Sequence, residues 1–196
     1  MTFSVLAVPF QSSVVKAGNC GACSILGHMA AEMRLPRQFG DANLLLYVLL
    51  EVVVLHQRLI LIIEDNPGDI RLMKEALRDT QLNVALQIAM DGEEALKYLR
   101  QEPPYEDGRR PSLIFLDLNL PRGTSKDVLQ HIKSDGSLRS IPVAVLTSSD
   151  AERDIREAYE LHANCYLRKP VDLDSFIGTI RSALTFWMGV ACIPGE

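Results

Sequence analysis

Four short apolar runs beyond residue 57 are each followed by a polar or charged residue. Leu59–Ile63 leads into Glu64 and Asp65, Leu113–Leu116 into Asp117, Val143–Leu146 into Thr147, and Cys165–Leu167 stops just before Lys169. Continuous apolar runs of this length suit strands covered on both faces. Between them the period changes. Ile70, Met73 and Leu77 recur at helical spacing, with Arg71, Lys74, Glu75 and Arg78 interleaved. Asn83–Ala89 alternates, as a strand near an edge does. Asp91 can cap a helix through Arg100 that turns Ala95, Leu96 and Leu99 inward. Ser125–Ser134 reads as a helix on Val128, Leu129 and Ile132. Asp150 is expected to cap a helix with Ile155, Ala158 and Tyr159 inside, and Asp172 opens a last helix on Phe176, Ile177, Ile180 and Leu184.

Five strands alternating with five helices predict an α/β fold. Right-handed crossovers give a doubly wound parallel sheet with helices on both faces, in the flavodoxin-like order 2-1-3-4-5. Strands one and three are then neighbours, about 4.8 Å apart. Ligands of such sheets bind beyond the carboxyl ends of the strands, at the point where the order reverses. Topology therefore gathers Glu64, Asp65 and Asp117 at one edge, with Thr147 and Lys169 beside them. Three carboxylates this close need protons or a cation among them. Mg2+ fits, because it takes oxygen ligands and is held by one or two carboxylates plus phosphate oxygens. Asp65 and Asp117 are the expected direct ligands, Glu64 acts through a bound water, and the backbone carbonyl of Asn119 supplies another oxygen. Asp117 is the candidate nucleophile for a phosphoryl group. Lys169 adds a cation and Thr147 a hydroxyl donor.

The rest of the composition bounds the function. The net charge of −5 argues against a general nucleic-acid binder. Four cysteines in 196 residues make no dense disulfide framework, so a reducing, cytoplasmic setting is expected. Cys20 and Cys23 form a lone C-x-x-C, read as two ordinary thiols. Leu44–Leu55 is apolar but shorter than a bilayer span and interrupted by Glu51, so a buried or partner-binding helix is expected and no membrane span. Residues 1–57 are an extension of unassigned role, with a translated upstream stretch from a misplaced start as one reading. Residues 58–187 form the domain and 188–196 a tail.

The segments LIIEDNPGD, LDLNLP, VLTSS and LRKP, in this order and spacing, resemble the receiver domain of two-component response regulators. The resemblance implies that Asp117 is the phosphoacceptor, Glu64 and Asp65 the acidic pocket, Thr147 the switch hydroxyl and Lys169 the phosphate-sensing lysine. Tyr166 matches the aromatic switch position, and Lys169–Pro170 the family's cis peptide. EDNPGD, the charged loop Gln101–Pro111 and LHANCYLRKP are similar to a narrower group, the small regulators that serve phytochrome-like histidine kinases in cyanobacteria and other bacteria. One departure is the loop at Thr124–Ser125, where the family usually has Asp or Asn and then Gly.

No output domain fits after the last helix, so the expected output is protein contact with a downstream target. Phe186, Trp187, Met188, Val190 and Ile193 are expected beyond the core as an interface, and a homodimer through the fourth and fifth helices is expected. A cofactor-binding flavodoxin-like module is disfavoured by the acids after the first strand. A phosphoaspartyl hydrolase with turnover is disfavoured by Asn at position 119. An unphosphorylated pseudo-receiver, an interaction module only, is the remaining alternative. The chain is therefore read as a signalling protein and not as an enzyme.

Overall fold

The computed structural model describes residues 57–80, 82–121 and 125–194. The expectations for residues 1–56, including Cys20, Cys23 and Leu44–Leu55, and for Thr124 fall outside them. No helix among the described residues is long and apolar enough to cross a membrane.

The elements alternate as the periodicity requires: β1 (Arg58–Ile63), α1 (Pro67–Arg78), β2 (Val84–Ala89), α2 (Gly92–Leu99), β3 (Leu113–Leu116), α3 (Ser125–Ser134), β4 (Val143–Thr147), α4 (Glu152–Glu160), β5 (Cys165–Arg168) and α5 (Leu173–Thr185), with a π-helical turn over Phe186–Val190. The strands form one sheet in the order β2-β1-β3-β4-β5, and every pairing is parallel.

Two apolar layers sandwich this sheet. Leu59, Leu61 and Ile63 of β1 and Ile114 and Leu116 of β3 pack with Tyr98, Leu99, Val128 and Ile132 on one side. Ile60 and Ile62 with Leu113 and Phe115 pack with Met73, Leu77, Ile180 and Leu184 on the other. A slip of one residue would exchange the two sets, so packing on both faces fixes the register. Burying each such side chain contributes about 1.5–3 kcal/mol, more than strand propensity supplies.

Polar side chains punctuate the helices. Asn66 Oδ1 accepts from Gly68 N at 2.8 Å to start α1, and Asp91 and Asp172 cap α2 and α5 in the same way. The expected cap at Asp150 is not formed. The cap position of α4 is Ala151, and Ser149 instead engages the turn, donating to Asp154 Oδ2 at 2.6 Å and accepting from Ala151 N. Tyr159, expected inside, is 50 % exposed, because α4 buries only Ala158 fully.

The C-terminal segment also differs from expectation. Met188 and Ile193 do not stand beyond the core: both are buried against the α1–α5 layer. The π-helical turn carries the chain on from α5 and turns Met188 inward, where its carbonyl accepts from Arg58 Nη1 at 2.7 Å. Phe186 and Val190 remain exposed, and Trp187 is half-buried.

Candidate functional site

Each site residue stands where a strand ends. Glu64 and Asp65 follow β1, Asp117 follows β3, Thr147 closes β4, and Lys169 follows β5. Backbone bonds continue the ladder into these positions. Glu64 N donates to Ala89 O, Asp117 N to Ile63 O and Lys169 N to Thr147 O. The polar residues are thus fixed by the sheet and not by loop conformation.

Lys169 is the hub. Its Nζ lies 2.6 Å from Glu64 Oε2, 2.7 Å from Asp117 Oδ2 and 2.8 Å from Asp69 Oδ2. Glu64 and Asp117 are almost fully buried. Burial pushes Glu64 up to about 7, against the hydrogen bond and charge of Lys169. Burial acts to lower Lys169, but the hydrogen bonds it donates to Asp117, Asp69 and Glu64 outweigh it and hold the ammonium above its ordinary value. One cation facing three acids leaves the edge short of positive charge.

Carboxylate oxygens of Glu64, Asp65 and Asp117 lie within 4.8 Å of one another. The remaining oxygens are held in place: Glu64 Oε1 accepts from Asn66 N at 3.1 Å, and Asp117 Oδ1 from Asn119 N at 2.9 Å. Hard oxygen donors with surplus negative charge suit a divalent cation.

Thr147 is fully buried, and its Oγ1 accepts from Asn119 Nδ2 at 3.1 Å and from Ser149 N at 3.2 Å. Asn119 Nδ2 also reaches Ser148 Oγ at 3.1 Å. Tyr166 donates from its hydroxyl to Ser149 O at 3.0 Å, so the Thr147 and Tyr166 side chains meet through one residue.

All five residues picked from the sequence come together at this edge. The cis peptide expected at Lys169–Pro170 is absent. Among the described residues the cis bond is Pro103–Pro104, and Lys169 reaches its three partners across a trans bond. Sequence reading also missed Asp69. It sits in the first turn of α1, where an acid is an ordinary helix-start residue, and only the fold turns it onto Lys169. The sequence places Asn119 at the site through its carbonyl and its lack of an acid, and the structure adds the bonds of its side-chain amide to Thr147 and Ser148.

Known proteins share this fold and much of this sequence. The profile of the response regulator receiver domain matches residues 60–181. The response regulator Rcp1 of a Synechocystis species is 40 % identical over 137 residues, covering 70 % of this chain and 93 % of Rcp1. A Mn2+-bound crystal structure of Rcp1 superposes with a TM-score of 0.68, covering 70 % of this chain and 99 % of that one. The phosphorylated cyanobacterial phytochrome response regulator RcpA is 42 % identical with a TM-score of 0.69, covering 71 % of this chain and 99 % of that one. With its sheet order, its acidic edge and these relatives in agreement, the chain belongs to the response regulator receiver domains, homologous to single-domain phytochrome response regulators.

Proposed function

We propose that Asp117 is the phosphoacceptor of this receiver and that Glu64, Asp65, Asn119, Thr147, Tyr166 and Lys169 serve its phosphorylation. The observation that carries this reading is the buried Asp117 carboxylate bonded to Lys169 at the same edge as Glu64, Asp65 and Thr147. A carboxylate oxygen of Asp117 attacks the phosphorus of a phosphohistidine. The P–O bond forms as the P–N bond breaks, and the imidazole leaves with its electron pair and takes a proton from solvent. Lys169 stays protonated and turns to the phosphoryl oxygens. Asp65, Asp117 and the Asn119 carbonyl would hold Mg2+, with Glu64 acting through a water, and the ion would supply charge neutralisation between carboxylate and phosphate.

Thr147 then exchanges its bond from Asn119 for one to a phosphoryl oxygen. Ser149 and Tyr166 follow, shifting the population toward a state that a downstream partner prefers. The kinase is a phytochrome-like histidine kinase of the cytoplasm, as the likeness to Rcp1 and RcpA supports. A homodimer forms through α4, β5 and α5, on whose elements or flanking loop Tyr159, Val171 and Leu173 are exposed, and Phe186 and Trp187 extend that contact. Met188, being buried, is withdrawn from it.

The test is intact mass after incubation with Mg2+ and a small-molecule phosphodonor, beside Asp117→Asn. One phosphoryl group on the wild type alone, abolished by prior chelation, is the expected result. No adduct on either protein, with the fold intact by circular dichroism, would overturn the reading and leave an unphosphorylated interaction module.

A further inference from the structure

Most cations of the described domain already have partners. Lys97, Lys126, Arg156 and Arg181 stand beside carboxylates, and Arg110 and Lys133 donate to backbone carbonyls. Among the described residues, Arg71, Lys74, Arg78 and Arg139 are the exceptions, with no ion pair or hydrogen bond to their side chains. Three of these four exposed cations lie along one helix, α1.

They also line one groove. Arg71, Lys74 and Arg78 form its rim, with Glu75 as the one acid, and Ile70, Ile88 and Met90 supply apolar surface. The groove holds about 400 Å3, and Met90 is 44 % exposed within it. The opposite flank of α1 is covered by α5, with Arg181 bonded to Asp79 across the two helices. The open flank faces β2, an edge strand.

We propose that this groove docks an acidic amphipathic helix of a partner protein. Positions 71, 74 and 78 span about 10.5 Å along the helix axis. Carboxylates at i, i+3 and i+7 of a second helix repeat that spacing, and apolar side chains between them would rest on Ile88 and Met90. The chain is net acidic, so most of its surface repels such a helix while this rim attracts it.

An added β-strand fits less well. Glu64 N donates to Ala89 O, so in a parallel ladder the alternate carbonyl, that of Ile88, faces outward. The side-chain amide of Gln87 already donates to it at 3.1 Å.

The probe is a fluorescent helical peptide of about 14 residues with glutamates at i, i+3 and i+7 and leucines on the adjoining face. Anisotropy titration against the full chain should saturate on the wild type and weaken at least about tenfold when Arg71, Lys74 and Arg78 are all changed to Glu. Met90→Glu, which leaves the rim intact, should weaken it as well, and Arg139→Glu should not. Backbone amide shifts should map to α1, Ile88 and Met90, and binding should fall with added salt. Equal binding to wild type and triple variant, no saturable binding, or a peptide bound in extended form along β2 would each overturn the proposal. Phosphoryl acceptance from a small-molecule donor should be unchanged in every variant.

Discussion

Lys169 shows how much one side chain carries. It neutralises part of three carboxylates, two of them buried, and its removal would leave Glu64 and Asp117 facing each other uncompensated. Breaking a buried pair from one side costs roughly 3–5 kcal/mol. Lys169→Met should therefore lower the unfolding free energy by about 3 kcal/mol in metal-free buffer. Excess Mg2+ should restore more stability to the variant than it adds to the wild type, because the ion takes over the missing charge. Urea denaturation with and without Mg2+ checks both points. An unchanged midpoint in metal-free buffer would mean that the acids are already protonated and need no partner. Five residues of this site were legible as strand-end polar residues. Asp69 was not, since a carboxylate in a first helical turn has a sufficient local explanation and only three-dimensional placement shows the other.

Elements were legible where burial on both faces dictated composition, as in β1, β3 and β4. Their ends were less so. Asp150 and Ser149 both have capping chemistry, and sequence alone does not decide which one points at the helix. The structure gives it to neither: the cap position falls to Ala151 with no side-chain cap, Ser149 ties the turn to Asp154, and Asp150 lies out beside Arg168. At the C-terminal end of α3, Lys133 pins the helix to the chain that enters β4. Its Nζ donates to Ile141 O and Asn164 Oδ1, both at 2.8 Å, and burial brings it down to about 8. An unfolded lysine titrates near 10.4. Between these values the unfolded chain binds a proton that the native chain has released, so this lysine makes native stability rise as pH climbs from about 8 to about 10.4. Lys133→Met should flatten that part of the stability profile. The variant should also be less stable at neutral pH by about 1–3 kcal/mol, from lost hydrogen bonds to the carbonyls. Denaturant melts at a series of pH values read both effects.

At the scale of the molecule, the parallel sheet was readable because alternating periods and right-handed crossovers leave few topologies. The tail was not. Phe186, Trp187, Met188, Val190 and Ile193 have the same apolar character, and only the π-helical turn after α5 separates those that face in from those that face out. Met188→Ala should cost about 2–4 kcal/mol of stability, as core truncations do. Leu173→Glu should leave stability within about 0.5 kcal/mol and shift sedimentation toward the monomer. A destabilised Leu173→Glu, or a neutral Met188→Ala, would place the core boundary elsewhere. The bond from Lys169 to Glu64 joins residues 105 apart in sequence, and the last strand must be in place before it can close. A nascent chain that has left the ribosome only as far as β4 carries Asp117 but not the lysine. The edge therefore comes into being only after β5 has emerged, and a copy stopped before Lys169 has no complete pocket in which to receive the message.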